Sequence, residues 1–331
     1  MIIIFTIKYD ISTSNVIQWL NYFNQEVIRI NSDDDIYKLE LINESSILFR
    51  NTTTNKVYNL LEAKSCWWRR NGISRNTFTN YKRENLIYSN QDLSSLLIGN
   101  GNILTEETEH LKEYIYTKIY EKCKINIGKP LFNLNKLIVL DIAKKIGFRI
   151  PNYKIITNTQ QLEDFESISK AISNGVYKII DNYSYYSYTE KLNLKKLKRQ
   201  SINVFPSIQM ELIDKKLEIR SFYIENNFFS MAIFSQSSEQ TKIDFRKYNN
   251  VFPNKTEPFQ LPKNIEEKLA QIFKEINLNC GSIDLIIDKN DNYYFLEINP
   301  VGQYGMVADP CNYELDKLIA NYLINGKIKT N

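Results

Sequence analysis

The sequence predicts a mixed α/β fold (α/β with an α+β part) that contains more than one compact region. Helical and strand-like segments alternate through the first part of the chain, and strands dominate from Phe205 onward. The chain has 331 residues, more than one hydrophobic core usually holds, and its hydrophobic content of 43% is ordinary for a globular protein. We expect an N-terminal α/β domain over 1–125, a small central subdomain over 126–207 and a C-terminal antiparallel-sheet subdomain over 208–331.

Local periodicity and chain-breaking residues place the individual elements. The apolar opening run over 2–5 predicts a buried strand within residues 1–9, and it lacks the length and charge of a signal peptide. A break around Gly128 and Pro130 marks the first boundary, and Asn135 and Gly147 are expected to begin and end a helix. Further strands are expected over 27–30, 39–50, 63–68, 153–156 and 175–180, and helices over 14–23, 84–97, 106–124, 136–146, 162–171, 265–276 and 313–324.

Several function classes lose support from what the sequence lacks. His110 is the only histidine and lies in a polar helix start, so histidine-dependent nucleophilic schemes have one poorly placed candidate. Neither the P-loop nor the Rossmann glycine signature occurs. The four cysteines are scattered, which indicates a reducing cytoplasm rather than a disulfide framework. A net charge of +4 gives no reason to expect nucleic-acid binding, and no apolar run approaches the length that spans a bilayer.

The most informative pattern is a hairpin near the C-terminus, in which segments 281–288 and 293–300 both show strand-like alternation. If Asn290 and Asp291 form the centre of the turn, Asp284 lies directly opposite Glu297. Asn299 shares a strand face with Glu297, and cross-strand Cβ atoms lie about 5 Å apart. Two carboxylates and an amide oxygen would then converge on one spot.

Such a cluster of oxygen atoms predicts a cation site. Hard oxygen ligands with room left for phosphate oxygens are what Mg²⁺ takes in ATP-using sites. The alternative is a hairpin with an acidic face in solvent. Apolar neighbours on both strands favour burial, and buried carboxylates need partners.

Taken in order, the motifs resemble the ATP-grasp superfamily. More narrowly, they resemble the peptide-modifying ligases of graspetide (microviridin-type) biosynthesis and their grasp-with-spasm branch. The likeness covers nearly the whole chain, and the Pro-x-Gly-Gln extension after Asn299 is its most specific part. The matching segments are 66–70 (Cys-Trp-Trp-Arg-Arg), 135–136 (Asn-Lys), 147–151 (Gly-x-x-x-Pro), 176–178, 208–213, 216–220, 244–246 and 297–305.

The resemblance implies an ATP-grasp fold, with a pre-ATP-grasp domain, a lid subdomain and a C-terminal subdomain, and it implies ATP and Mg²⁺ as cofactors. It makes Arg220 and Arg246 the stabilisers of charge on the transferred phosphoryl group, a role that suits guanidinium groups. Asp284, Glu297 and Asn299 would hold the metal. The residues implied to contact ATP are Lys136 and Lys178 (phosphates), Gln209, Glu211, Leu212 and Ile213 (the adenine hinge) and Glu218 (ribose).

Each of these side chains also has an ordinary structural interpretation as a solvated strand or helix residue. Arg69 and Arg70 are interpreted as contacts to a peptide or to a subdomain boundary. The basic run over 191–199 is either a solvated helix face or a surface that attracts an acidic peptide. Two departures from the family pattern stand out: the loop over 181–189 lacks lid glycines, and Phe245 replaces a tryptophan.

The resemblance implies a peptide macrocyclase with a ribosomally made precursor peptide as partner, acting as a homodimer. The enzyme would phosphorylate an Asp or Glu side chain of the peptide, and a Thr or Ser hydroxyl would then form a ring ester, or a Lys amine an amide. Two alternatives stay open at this point. One is an ATP-grasp ligase acting on small molecules; the other is a nucleotide-binding regulator without catalysis.

Overall fold

The computed structural model describes residues 1–70, 72–78, 103–130, 133–173, 175, 177–180, 183–186, 188–247 and 253–328. At positions 104, 177–179, 184 and 186 it describes the backbone alone. The helix expected over 84–97 lies outside these residues. The chain divides into two compact units, one formed by Met1–Phe132 with Glu314–Asn331 and one formed by Asn133–Tyr313. The mixed α/β class is confirmed.

The first unit is built on a parallel sheet with strand order β2-β1-β6-β7, accompanied by a small antiparallel sheet β3-β4-β5. Its strands are β1 (Ile2–Thr6), β2 (Val27–Asn31), β3 (Tyr37–Ile42), β4 (Ile47–Asn51), β5 (Val57–Asn59), β6 (Ser65–Trp68) and β7 (Ile125–Ile127), and its helices are α1 (Ile11–Tyr22), α2 (Ile103–Lys122) and α7 (Leu315–Asn325).

The first strand shows why this sheet forms. All five residues of β1 are buried, as expected for a continuous apolar run in a parallel sheet covered on both faces. Helix α1 begins three residues before its expected start because the Asp10 side chain caps it, accepting from the Thr13 N–H at 3.4 Å. The last helix, α7, packs against α1, whereas the sequence assigned that segment to the C-terminal subdomain.

The segment expected as a strand over 39–50 forms a hairpin instead. Strands β3 and β4 pair in antiparallel fashion, joined by a turn at Asn43. The Asn43 side chain accepts from the Ser45 N–H at 3.0 Å, and the backbone N–H of Asn43 donates to the Ser46 carbonyl at 2.9 Å. This Asn-Ser pair is a local turn signal within an apolar stretch.

The second unit contains a four-stranded sheet, β12-β9-β13-β8, a hairpin β10-β11 and a five-stranded antiparallel sheet, β16-β15-β14-β17-β18. Its elements are α3 (Lys136–Lys145), β8 (Tyr153–Asn158), β9 (Ser167–Ser169), β10 (Tyr177–Ile180), β11 (Tyr183–Tyr186), β12 (Glu190–Lys191), α4 (Leu194–Gln200), β13 (Asn203–Glu211), β14 (Lys215–Ile224), β15 (Asn227–Phe234), β16 (Lys255–Phe259), α5 (Lys263–Glu275), β17 (Cys280–Asp288), β18 (Tyr293–Asn299) and α6 (Gly305–Cys311).

Helix α5 confirms the clearest helical pattern in the sequence. Its buried residues are Ile265, Leu269, Ile272 and Phe273, spaced to lie on one face. Among the described residues, no helix is both long and apolar enough to cross a membrane.

The helix expected over 162–171 is wrong. That segment is extended and contains β9, which pairs with β12 and β13. The fully buried Gln209 side chain accepts from the Glu163 N–H at 2.9 Å and donates to the Glu163 carbonyl at 3.0 Å. Because Gln209 takes both backbone groups of Glu163, they are not available for the hydrogen bonds of a helix.

Candidate active site

A cleft in the second unit collects most of the residues that the sequence singled out. It is lined by the ends of β9 and β13, one face of β14, β17 and β18, the start of α3 and the segment 243–246. The predicted site residues in its lining are Lys136, Glu211, Leu212, Ile213, Glu218, Arg220, Arg246, Asp284, Glu297 and Asn299.

The hairpin β17-β18 places Asp284 opposite Glu297, as predicted. The turn itself is shifted by one residue from the expected register, because Ile287 pairs with Tyr293. A β-bulge restores the alignment: Leu285 pairs with Phe295 and Asp284 with Glu297, so that Leu296 is the extra residue. The opposition of the two carboxylates therefore depends on the bulge.

Asp288 explains the shifted turn. Its carboxylate accepts from the N–H groups of Asn290 at 2.8 Å and Asn292 at 2.9 Å, which closes the loop around the aspartate side chain. Asp291 adopts a left-handed φ of 62° in this turn. Aspartate and asparagine form such turns through their short polar side chains.

Asp284 is paired with a buried arginine on the neighbouring strand. Arg220 lies directly across from Asp284 in the β14-β17 pair, and its Nη1 donates to both carboxylate oxygens at 2.7 Å. Burial raises the pKa of Asp284, and the Arg220 charge opposes that increase. The Nε of Arg220 is buried and has no hydrogen-bond partner within the described ranges.

Glu297 lies between two lysines. Its Oε2 is 3.2 Å from the Lys136 Nζ and 3.5 Å from the Lys170 Nζ. Burial alone would raise the pKa of Glu297, but Lys170 and Lys136 lower it to about 2, so the carboxylate is ionised at neutral pH. Lys136 owes its place to Asn135, which caps α3 by accepting from the N–H groups of the next turn at 3.0 and 3.3 Å.

Lys170 is a cleft residue that the sequence analysis missed. It follows β9 directly, and β9 pairs with β13, whose end was predicted as the adenine hinge. The mistaken helix over 162–171 hid it, and the single apolar residue of β9, Ile168, is too weak a pattern to indicate a strand. The other predicted phosphate lysine, Lys178, belongs to β10, and its side chain lies outside the described part of the structure.

Three of the four predicted hinge residues line the cleft, and Gln209 does not. Leu212 and Ile213, beyond the end of the strand, and Glu211 line the cleft. The Glu211 carboxylate accepts from the N–H and side-chain amide of Asn152 at 3.0 and 2.9 Å. Gln209 does not line the cleft, because its amide is directed to the 163–167 segment and also donates to the Ser167 hydroxyl at 2.8 Å.

Glu218 belongs to a buried polar network. Its Oε1 accepts from the Lys215 Nζ at 2.7 Å and from the Ser235 hydroxyl at 2.7 Å. Lys215, another cleft residue that the sequence analysis did not select, also donates to the Ile243 carbonyl at 3.2 Å. Burial raises the pKa of Glu218, and Lys215 opposes that increase. The network links β14 to the segment that carries Arg246.

Arg246 is held by its own motif. Its Nη2 and Nε donate to the two Asp244 oxygens at 2.6 and 2.8 Å, and Asp244 also accepts from the Thr189 N–H at 3.1 Å. Burial alone would raise the pKa of Asp244, but Arg246 lowers it below its usual value. Phe245, which replaces the expected tryptophan, is buried against a cluster that includes Met231 and Val307.

The donor atoms of the cleft fit a nucleotide with its magnesium ion. Asp284, Glu297 and Asn299 supply the carboxylate and amide oxygens that Mg²⁺ prefers. The Asn299 side chain is fixed by accepting from the Val301 N–H at 3.1 Å. The surrounding guanidinium and ammonium groups are the partners that phosphate oxygens require.

Solved structures of known proteins share this architecture. The RiPP-associated ATP-grasp ligase of Chryseobacterium gregarium, in complex with ADP and a leader and core peptide, is similar with a TM-score of 0.76 and 22% identity, over 99% of this chain and 97% of its own. The macrocyclase MdnC of Microcystis aeruginosa MRC, bound with precursor peptide MdnA, gives a TM-score of 0.73 and 22% identity, over 99% of this chain and 100% of its own. The ATP-grasp ligase PsnB, complexed with minimal precursor, Mg and ADP, gives a TM-score of 0.69 and 14% identity, over 98% of this chain and 96% of its own.

These likenesses define the class of fold, and the chain has the ATP-grasp fold. The resemblance seen in the motifs is thereby confirmed at the level of architecture. No protein-family model matches the sequence, and no curated protein sequence matches it.

Proposed function

We propose that this chain is an ATP-grasp ligase that closes rings in a ribosomally made precursor peptide. The observation that carries the proposal is the alignment of Asp284 with Glu297 on adjacent strands, within one cleft that also contains Lys136, Lys170 and Arg220. Among proteins of this architecture, the Chryseobacterium gregarium ligase and MdnC were solved with leader, core or precursor peptides, which supports a peptide substrate.

Different residues of the cleft would bind the metal ion, the phosphates, the adenine and the ribose of MgATP. Asp284, Glu297 and Asn299 would hold Mg²⁺, which when bound offsets the negative charge of the phosphate groups. Lys136 and Lys170 would bind phosphate oxygens, since both ammonium groups already lie beside Glu297. The backbone groups of Glu211, Leu212 and Ile213 would bind adenine. Glu218 and Lys215 would bind the ribose.

The two arginines of the cleft would stabilise the charge that develops during phosphoryl transfer. Arg220 is already fixed by Asp284, and Arg246 by Asp244, so neither guanidinium needs to reorganise in the reaction. Arg246 is half-exposed, which leaves part of its guanidinium available to a substrate.

The peptide chemistry follows in two steps. An Asp or Glu side-chain carboxylate takes the γ-phosphoryl group of ATP, which gives an acyl phosphate and ADP. A Thr or Ser hydroxyl of the same peptide then attacks the acyl carbon, an ester forms, and phosphate leaves with the hydroxyl proton released to solvent; a Lys amine gives an amide by the same route. Holding both groups in one bound peptide supplies proximity, and shielding the acyl phosphate from water prevents its hydrolysis.

Mass spectrometry tests this proposal directly. The peptide encoded beside this gene is incubated with the protein, Mg²⁺ and ATP, and we expect the loss of one water per ring only when ATP is present. Fragmentation then locates each link and separates esters from amides. Formation of ADP and phosphate with an unchanged peptide would instead indicate a small-molecule ligase, and absence of nucleotide binding would favour a regulator.

A second prediction concerns the contributions of Lys170 and Lys178 to nucleotide binding. We expect Lys170→Met to weaken binding of ADP with Mg²⁺ by about 10- to 100-fold, because a hydrogen bond to a charged group contributes about 1.5–3 kcal/mol. Isothermal titration calorimetry measures the affinity. The control is Lys274→Met, which changes an exposed lysine of the same unit. The ADP affinity of Lys178→Met is measured in the same way. If only Lys178→Met weakens binding, the assignment of Lys170 is wrong.

A further inference from the structure

The carboxyl edge of the parallel sheet in the first unit carries an arginine that nothing in the nucleotide cleft uses. The chain leaves β1 towards β2 on one side and later continues from β6 to β7 on the other. The boundary between β1 and β6 is therefore a topological switch point, where open parallel sheets place their ligands beyond the carboxyl ends of the strands. Asp10 follows β1 in the chain, and Arg69 and Arg70 follow β6.

Arg69 and Arg70 have different environments although they are adjacent. Arg69 is only 3% exposed, and its Nε donates to the Asp10 Oδ2 at 3.0 Å. Asp10 also accepts from the Thr6 hydroxyl at 3.1 Å and caps α1. Arg69 and Asp10 thus form a buried ion pair that holds the end of β6 against the β1-α1 connection.

Arg70 is left with an incomplete set of partners. Its Nε lies 3.5 Å from the Asp10 Oδ2 and has no hydrogen-bond partner among the residues that the structure describes. One third of its side chain (33%) is exposed. Burial and the neighbouring Arg69 lower the pKa of Arg70, and Asp10 offsets this only in part. Two guanidinium groups therefore share the Asp10 carboxylate, and Arg70 is the one left with hydrogen-bonding capacity.

The backbone holds Arg70 firmly in place. Its N–H donates to the Phe5 carbonyl at 2.9 Å. Two residues later, Gly72 adopts a φ of 66°, and a Cβ there would lie 2.4 Å from the Phe5 Cβ. At Gly72 the chain therefore passes so close to β1 that only glycine fits, and the backbone that carries Arg70 is fixed before a ligand binds.

We propose that Arg70 binds a side-chain carboxylate of the peptide substrate at the carboxyl edge of this sheet. The inference rests on the proposed function, and it assigns Arg70 to the peptide and Arg69 to the fold. A carboxylate matches the fork of a guanidinium group and completes the set of acceptors that Asp10 leaves unfilled. Tyr9 and Ile11, which are 80% and 76% exposed in the β1-α1 connection, offer apolar surface to residues of the peptide next to the acid.

The test is peptide binding to the full chain in the presence of ADP and Mg²⁺. We expect Arg70→Met to weaken binding of the precursor peptide about 10-fold, the loss typical of a charge-assisted hydrogen bond. Arg70→Lys should lose less affinity for the peptide, since lysine retains the positive charge but cannot form the two parallel hydrogen bonds of a guanidinium group. The control is Arg75→Met, an exposed arginine of the same unit whose contact is to the Thr105 hydroxyl.

A second peptide identifies the group that Arg70 contacts. When the core Asp and Glu residues are replaced by Asn and Gln, Arg70→Met should cause no further loss of affinity, because the carboxylate is already gone. An equal loss with both peptides, or no loss with either, overturns the assignment. ADP affinity, measured separately, reports on the second unit and should not change. If the native chain modifies no peptide, the proposed function fails and this inference falls with it; if it does and Arg70→Met binds normally, only this inference fails.

Discussion

Replacing Glu297 by Gln should abolish ATP-dependent product formation while the protein stays folded. The substitution keeps the shape of the side chain but removes the charge that faces Lys136 and Lys170. It also removes one of two carboxylates from the proposed Mg²⁺ ligands. Loss of a single preorganised electrostatic group in an active site costs about 10²–10³ in rate, and we expect at least that reduction here. The rate is measured by mass spectrometry of the peptide at saturating ATP.

The matched control is Glu257→Gln. Glu257 lies in the same unit on β16, is half-exposed and pairs with Lys255 on the surface, where an ion pair contributes little. We expect it to keep full turnover. Glu257→Gln should unfold at a urea concentration close to that of the parent protein. Glu297→Gln should stay folded without urea but unfold at a lower concentration, because Lys170 and Lys136 stabilise the ionised carboxylate that it lacks. Turnover retained by Glu297→Gln at saturating Mg²⁺ would contradict the metal assignment.

The sequence predicted the site best where the strand period alone decides which side chains share a face. Glu297 and Asn299 were assigned to one strand face from alternation alone, and both line the cleft beside Asp284. A period of two residues is independent of distant contacts, which is why these placements could be predicted.

Placements that depend on particular side-chain hydrogen bonds could not be predicted. The turn of the hairpin follows from Asp288 accepting hydrogen bonds from Asn290 and Asn292, and the bulge at Leu296 then corrects the register. A single-residue shift in the turn would have moved one strand's side chains to the other face without that bulge. The expected alignment was right, but the expected turn was wrong.

Lys170 was missed for a similar reason. The stretch over 162–171 has acceptable helical spacing by itself, and nothing in it shows that a glutamine 46 residues after Glu163 takes the backbone groups of that residue. Tertiary hydrogen bonds override local propensity at such positions. Once β9 is recognised as a strand beside β13, Lys170 is placed next to the predicted hinge at the end of β13, close to Glu297.

The pair formed by Arg220 and Asp284 yields the largest expected effect on stability. The Arg220 side chain is 7% exposed and that of Asp284 17%, so Arg220→Met leaves a buried carboxylate without its donor. Breaking a buried pair in this way costs about 3–5 kcal/mol in the free energy of unfolding. Adding Asp284→Asn should recover most of that loss, because the uncompensated charge is gone, while activity stays absent. Urea unfolding of the two single variants and the double variant measures the coupling.

The pH dependence of Arg220→Met separates an uncompensated charge from a simple packing defect. Burial already raises the pKa of Asp284, and without Arg220 it should rise further above the unfolded value of 3.8. The folded state then binds the proton more tightly than the unfolded state, so the stability of Arg220→Met should increase as the pH falls through the folded pKa. The double variant lacks the titrating carboxyl, and its stability relative to the parent should change less over the same range. A loss for Arg220→Met that is equal at pH 5 and pH 8 would indicate lost packing alone, with Asp284 needing no cation.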